Sequence, residues 1–558
     1  MLPIAEIQKL LEGEVYADDA TLDKYSRDAS LFEMRPQAVV FPKNSKDIQV
    51  LVAWVNSRKK DFSDLSITMR AAGTCMSGGA INESIVVDTS KYMHGVLEVN
   101  AQEKWARVLP GTYYRDFDAE TRKYNLIMPT YTASRELCAV GGMVANNSGG
   151  EKSIQYGKVE NFIRELTVVL TDGHEYVVRP LSHKELMTKI AGVGFEAELY
   201  KKLYALITDN LAIIQAAKPH VSKNSAGYYL WNVYDPETEM FDLCRLIVGS
   251  QGTLGIVTEI VWNLVPVKKH SVLTVAFLKD LKQLGNIVNT SLAQKPESVE
   301  SYDDNTLHVA TKFFGDFLKK KKVWGMIKFM FSFLPEFFMT VAGGIPKMVL
   351  LVEFAGDDEK EIHQKADTLA KELKQTYKVL THVTQTETEE EKYWEVRHES
   401  FNLLRKHVQG KHTAPFIDDF IILPKFLPEF LPKLDTILAQ YKLTYTIAGH
   451  PGDGNFHIIP LMDLKDPKTR EIILELSEKV YTLVLEYKGS ITAEHNDGII
   501  RSPFLEKQYG AEIVGLFKQT KELFDPLYIL NPHKKVGVTK EDIAKYLSRG
   551  DYGEATKR

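Results

Sequence analysis

Cysteine is nearly missing from this chain: three in 558 residues, Cys75, Cys138 and Cys244, with no C-x-x-C pair. Three thiols fall short of the four needed by an all-cysteine iron–sulfur cluster or structural zinc site. Spaced this widely they make no disulfide framework, so a reducing compartment is expected. A positive surplus is missing too. Lys+Arg 69 against Asp+Glu 74 leave a net charge of -5, which gives no reason to expect nucleic acid as a partner. The N-terminus lacks a basic n-region, and Glu6 sits inside its apolar stretch, so it reads as an amphipathic helix and not a signal peptide. A cytoplasmic location is the expectation. No Gly-Lys-Ser/Thr follows any glycine loop and no G-x-G-x-x-G opens a helix, so neither a Walker site nor a nicotinamide-binding fold has support.

What remains is the composition of a globular protein. Hydrophobic residues at 44% and charged residues at 26% exclude a disordered, fibrous or polytopic membrane chain. At about 100–200 residues per domain, roughly three structural units are expected. The first 180 or so residues mix strand-like runs (37–42, 66–73, 84–90, 165–173) with amphipathic helices at 45–59 and 196–217. From His270 the texture changes. SVLTVAFL (271–278) and KMVLLVEFAG (347–356) read as central strands, each followed by a charged helix (282–293, 357–375). That alternation predicts a second α+β domain on an antiparallel sheet. TYTIAGH–PGDG–NFHIIP reads as a hairpin. GSITAEH reads as another strand, leading to Glu494 and His495.

Three loops are rich in glycine: RAAGTCMSGGA (70–80), GGMVANNSGGEKSIQYG (141–157) and VGSQGTLGIVTEI (248–260). Such loops let backbone N–H groups approach a phosphate closely, although a surface turn explains any one of them alone. Two imidazoles, His450 and His457, flank the PGDGN turn, and a Glu-His pair follows at 494–495. Two histidine nitrogens and a carboxylate suit a divalent metal with an open position for substrate.

In this order, with YSRDASLFEMRPQAVVFP (25–42), the loops resemble the flavin domain of the vanillyl-alcohol-oxidase (PCMH) type. AGHPGDGNFH (448–457), AEHNDG (493–498) and FDPLYILNP (524–532) resemble the FAD-linked D-2-hydroxyacid dehydrogenases, which include D-lactate, glycolate and D-2-hydroxyglutarate dehydrogenases. The resemblance spans roughly residues 20–537. It implies an α+β protein with a flavin domain at 1–267, a substrate or cap domain at 268–500, and a C-terminal segment, 501–558, returning to the flavin domain.

On that resemblance Gly73, Thr74, Cys75, Met76, Ser77, Gly78, Gly79 and Ala80 wrap the FAD pyrophosphate. Gly141, Gly142, Asn146, Ser148 and Gly150, with Tyr156 and Gly157, line the flavin. Gly252, Gly255, Ile256 and Val257 contact it through the backbone, and Asn531 brings the C-terminal segment back to it. The pyrophosphate loop has no His, so FAD is expected without a covalent link, with Cys75 as packing. His450, His457 and Glu494 become ligands to Zn or Mn, and His495 becomes the base. The chain reads Glu-His-Asn-Asp-Gly where the family more often has Glu-His-Gly. A substrate carboxylate suits the planar fork of an arginine. YWEVRHES (393–400) resembles the family's Trp-x-x-Arg element and nominates Arg397.

The implied reaction oxidises a D-lactate-like 2-hydroxy acid to the 2-oxo acid. Its electrons pass to a separate quinone, electron-transfer flavoprotein or iron–sulfur partner. Two other readings share these loops: a flavin electron-transfer subunit of a larger glycolate-oxidase-like complex, and a metal-independent flavoenzyme of the alkylglycerone-phosphate-synthase or aryl-alcohol-oxidase type. Segment 313–345 sets Lys319–Lys322 before a run rich in Phe and Met. It is expected to dock peripherally on a membrane or partner, because Lys328, Pro335 and Glu336 interrupt it before a spanning length accumulates.

Overall fold

A computed structural model describes residues 2–304, 346–407 and 412–549, so the expected docking segment 313–345 lies outside the described residues. The chain divides into two compact units. One comprises 1–150, 158–267 and 491–558; the other comprises 151–157 and 268–490. The passage at 267/268 lies just before His270, from which the sequence texture changes, and the chain rejoins the first unit at Ile491.

In the first unit, strands Glu14–Tyr16, Ala38–Phe41, Ile85–Asp88 and Ile67–Arg70 form a sheet in that spatial order. The last three are parallel to one another. Helix Ser45–Arg58 starts because the Asn44 side chain accepts from Asp47 N. Its buried Ile48, Leu51, Val52 and Val55, spaced by three and four, place one apolar stripe in a core shared with Val40, Ile67 and Val87. A second, five-stranded sheet runs Val96–Asn100, Trp105–Val108, Ile256–Asn263, Ile163–Val169, Glu175–Val178, all antiparallel.

The second unit is an eight-stranded antiparallel sheet. Its path is Leu380–Val383, His270–Leu278, Met348–Gly356, Ser298–Asp303, Thr444–His450, Asn455–Met462, His412–Thr413, with Phe420–Ile421 paired off to the side of Asn455–Met462. Seven successive buried residues, Met348–Phe354, account for its apolar run, in which Glu353 is the one charged residue. Helix Glu359–Tyr377 buries Ile362, Ala366, Leu369 and Leu373 on one stripe. Among the described residues no helix is long and apolar enough to cross a membrane.

Candidate active site

In the first unit the three glycine loops and the C-terminal return meet around two amide side chains. Asn531 Nδ2 donates to Gly79 O at 2.9 Å and to Gln251 O at 2.6 Å, while its Oδ1 accepts from Thr68 Oγ1 at 2.7 Å. Gln251 Nε2 donates to Asn146 Oδ1 and Ser77 Oγ, both at 3.2 Å. Loop 73–80, helix Val140–Asn146, loop 249–255 and Asn531 are therefore one hydrogen-bonded assembly. The glycines in it differ. A Cβ on Gly150 would lie 1.9 Å from Tyr131 O, so that glycine serves close chain packing. Gly142 and Gly252 face open space, with no atom within 4 Å of where a Cβ would stand, and Gly252 also has φ +69.

Asn147 Nδ2 is buried there without a hydrogen-bond partner. Open backbone at two glycines and an orphaned donor fit a flavin with its carbonyls and phosphates. Cys75 Sγ lies 3.3 Å from Ser77 Oγ and accepts from Gly79 N at 3.3 Å, and burial pushes its thiol up. Ile256 and Val257 open strand Ile256–Asn263, paired with Val169 and Val168. Tyr156 and Gly157 group with the second unit and not with these loops.

The strand expected over GSITAEH does not form. Ser490 makes one bridge to Ile421, and from there to Asn496 the backbone is irregular. Side chains and loops take the carbonyls that a ladder would use. Thr492 O accepts from Ser225 N at 3.0 Å, and Ala493 O accepts from Lys158 Nζ at 2.8 Å and Ser225 Oγ at 2.9 Å. Without strand alternation, Glu494 and His495 carry potential ligand atoms within 4.8 Å of each other. The extra Asn-Asp before Gly498 has a structural role. Asn496, at φ +66, donates to Asn146 O and Gly249 O, and Asp497 Oδ2 accepts from Gly227 N and Lys535 Nζ.

Sequence reading missed Lys223. It is fully buried, and its ammonium lies 2.5 Å from Glu494 Oε1 and 3.3 Å from Gly150 O. Its only signal was a lysine inside HVSKNSAGYYL, indistinguishable by pattern from a surface cation.

In the second unit the hairpin sets His450 opposite Asn455 and His457 opposite Ala448. The two imidazoles are 5.3 Å apart and nearly perpendicular. Each Nδ1 is held by a buried carboxylate: His450 by Glu300 Oε1 at 2.5 Å, His457 by Asp418 Oδ1 at 2.9 Å. A carboxylate can only accept, so each Nδ1 carries the proton and Nε2 becomes the ligand nitrogen. Asp419, at φ +73, accepts from Asn455 Nδ2 at 3.2 Å and offers a ligand atom within 4.8 Å of that of His457. It too was missed, although two adjacent acids inside the apolar PFIDDFIILP are a visible break in pattern. Imidazole and carboxylate are donor types that suit Zn²⁺ or Mn²⁺; among the described residues the ligand atoms of His457 and Asp419 come within 4.8 Å of each other, and His450 is not part of their group. Arg397, on helix Glu387–His407, is 9% exposed and pairs with Glu300 Oε2 at 3.3 Å, so it is not a solvated surface arginine.

Two family patterns match the chain: the FAD binding domain over residues 36–179 and the C-terminal domain of FAD linked oxidases over 267–535. D-2-hydroxyglutarate dehydrogenase of Pseudomonas putida is 28% identical over 526 residues, covering 94% of this chain and 50% of the relative. The chain spans about half the length of the first curated relatives it matches. Glycolate oxidase subunit GlcD of Bacillus subtilis is 25% identical, with 94% of each chain covered. D-lactate dehydrogenase of Anaerostipes hadrus is 23% identical, also covering 94% of each. In fold the chain resembles 4-ethylphenol oxidase from Gulosibacter chungangensis, with a TM-score of 0.66 at 16% identity over 96% of this chain and 97% of that one. An alkyldihydroxyacetonephosphate synthase is similar, with a TM-score of 0.65 at 14% identity over 96% and 85%. The architecture is thus α+β, with the PCMH-type flavin-binding fold and antiparallel sheets.

Proposed function

Since the chain belongs to the FAD-linked D-2-hydroxyacid dehydrogenase family, we propose that it oxidises a D-lactate-like 2-hydroxy acid to the 2-oxo acid and passes the electrons to a separate acceptor. The observation that carries the metal-assisted form is the pair of histidines whose Nδ1 atoms are each held by a buried carboxylate. When bound, FAD supplies a two-electron acceptor and a divalent metal supplies a Lewis acid for the substrate hydroxyl and one carboxylate oxygen. His450 and His457 through Nε2, Glu494, and the additional donor Asp419 are the residues proposed to hold the metal. Arg397 binds the substrate carboxylate through its fork and fixes which face of C2 is presented. His495 takes the C2 hydroxyl proton on a ring nitrogen. Lys223 keeps the buried Glu494 carboxylate compensated and in place.

FAD is held without a covalent bond in this reading, which the absence of His from 73–80 and the engagement of Cys75 with Ser77 and Gly79 support. Acid precipitation should carry the yellow colour into the supernatant. The reaction is tested by anaerobic flavin bleaching against D-lactate, glycolate, D-2-hydroxyglutarate and bulkier D-hydroxy acids. Bleaching by none of them would refute it. One second reading draws on the similarity to a glycolate oxidase subunit over 94% of each chain: this chain is the flavin subunit of a larger assembly whose partner takes the electrons. Turnover with O₂ alone at the rate seen with quinones or dyes would argue against any separate acceptor.

A further inference from the structure

Glu300 lies on strand Ser298–Asp303, in which all six residues are buried. Its two carboxylate oxygens serve different partners. Oε1 accepts from His450 Nδ1 at 2.5 Å, and Oε2 accepts from Arg397 Nη2 at 3.3 Å. The side chain is 1% exposed, so neither bond competes with bulk water. The strand is fixed on both sides. It pairs with Met348–Gly356 along its whole length, and with Ala448 and Gly449 of the strand that carries His450. A carboxylate has lone pairs enough for both donors, and here the sheet aims one oxygen at each.

We propose that Glu300 is a shared positioning residue, one carboxylate that orients both the metal-ligand imidazole of His450 and the substrate-binding guanidinium of Arg397. This rests on the roles given to those two residues above. Toward His450 it fixes the tautomer, so that Nε2 is the lone-pair nitrogen, and raises its basicity as a ligand. Toward Arg397 it immobilises a long cationic side chain in a buried setting and restrains its fork before substrate arrives. His457 has its own carboxylate in Asp418, so the two histidines make an internal comparison. Loss of the Asp418 charge should affect metal binding alone. Loss of the Glu300 charge should affect metal binding and substrate affinity together.

The test compares Glu300→Gln and Asp418→Asn in the FAD-bound protein after chelator treatment. Zinc affinity is measured by competition with a chromophoric chelator in the absence of any hydroxy acid. KM and kcat for D-lactate and D-2-hydroxyglutarate are then measured at saturating zinc. Both variants should bind zinc about 10–100-fold more weakly. At saturating zinc Glu300→Gln should still show a KM raised about 10–100-fold, the loss expected for a hydrogen bond to a charged group, with a smaller change in kcat. Asp418→Asn should return to the wild-type KM. A wild-type KM for Glu300→Gln at saturating zinc, or wild-type zinc affinity for it, overturns the proposal. If Glu300→Gln fails to retain FAD, Glu300→Asp replaces it and should show both losses in weaker form; a loss in only one measurement again overturns the shared role. A wild-type protein that takes up no zinc at all would instead remove the metal reading on which the proposal depends.

Discussion

Replacing Lys223 with methionine isolates the charge on which Glu494 depends. Methionine keeps an unbranched apolar stem of similar length, so little cavity is created, and only the ammonium is lost. In the protein that ammonium is 0% exposed and sits 2.5 Å from a carboxylate that is itself 6% exposed. Breaking a buried ion pair by removing one partner costs about 3–5 kcal/mol, because the remaining charge is left uncompensated in a low dielectric. Gly150 O loses a donor as well. A divalent cation bound by Glu494 would supply the missing charge. Zinc at a hundred times its dissociation constant contributes about 2.7 kcal/mol, enough to recover more than half of the loss. The assay is thermal unfolding of chelator-treated Lys223→Met with and without zinc, beside the wild type and Lys223→Met/Glu494→Gln. Zinc should raise the single variant more than the wild type. The double variant should regain most of the stability in the absence of metal and respond to zinc least. Equal zinc stabilisation of all three proteins would show that Glu494 is not where the cation binds, and a stripped Lys223→Met as stable as wild type would refute the energetic argument itself.

His495→Asn should slow flavin reduction by about 10²–10⁴-fold while FAD stays bound, as rapid mixing with hydroxy acid would record; near-normal rates would reassign the base. Asn531→Ala removes the bonds to Thr68, Gly79 and Gln251, leaving buried groups unsatisfied at about 1–3 kcal/mol each, so FAD should be lost during gel filtration that the wild type survives. Glu390 is pushed up to about 7 by burial first, against the bond it accepts from Ser271, with Glu353 and Glu387 adding in the same direction. Between the ordinary carboxyl value and about 7 the folded protein binds the extra proton, so stability falls as pH rises through that window. Glu390→Gln should therefore melt above the wild type at pH 8 and close to it at pH 5, and a difference independent of pH would contradict this.

The parts of the fold that could be read in advance are those whose signal is local. His270–Leu278 and Met348–Gly356 are rich in apolar residues, helix Glu359–Tyr377 has its stripe at 362, 366, 369 and 373, and the PGDG turn marks its own hairpin. The glycine loops were legible as a set because their composition is unusual whatever they pack against. The residues that hold the site in position were not legible. Glu300 and His450 are 150 positions apart, and Lys223 and Glu494 are 271 apart. Glu300 stands in the acid-rich PESVESYDD and Lys223 in the polar HVSKNSAGYYL, and neither stretch distinguishes its charge from a solvated one. GSITAEH failed as a strand for the same reason. Its β-branched residues favour extension, but Ser225 and Lys158, distant in sequence, take its carbonyls in place of a ladder.

The buried lysines of the first unit explain how loops with so little side chain can be held still. Glycine-rich segments have few apolar groups to bury, so packing alone gives them little stability, and their backbone carbonyls must be satisfied away from water. Lys158 donates to Asn224 O and Ala493 O. Lys521 donates to Thr253 O and Leu530 O, and Lys535 to Ser225 O and Gly227 O. Each ammonium thus joins segments distant in sequence, and two of them also hold a carboxylate, Asp525 for Lys521 and Asp497 for Lys535. Burial lowers the pKa of Lys521 and Lys535, and the paired carboxylates act against that shift. Asp525 in turn accepts from Ile529 N and Leu530 N, which aligns the chain for Asn531 to reach Gly79 and Gln251. The FDPLYILNP motif is therefore best understood as an electrostatic clamp: its aspartate anchors a lysine, the lysine anchors loop 249–255, and its asparagine closes the loops over which the flavin is proposed to lie.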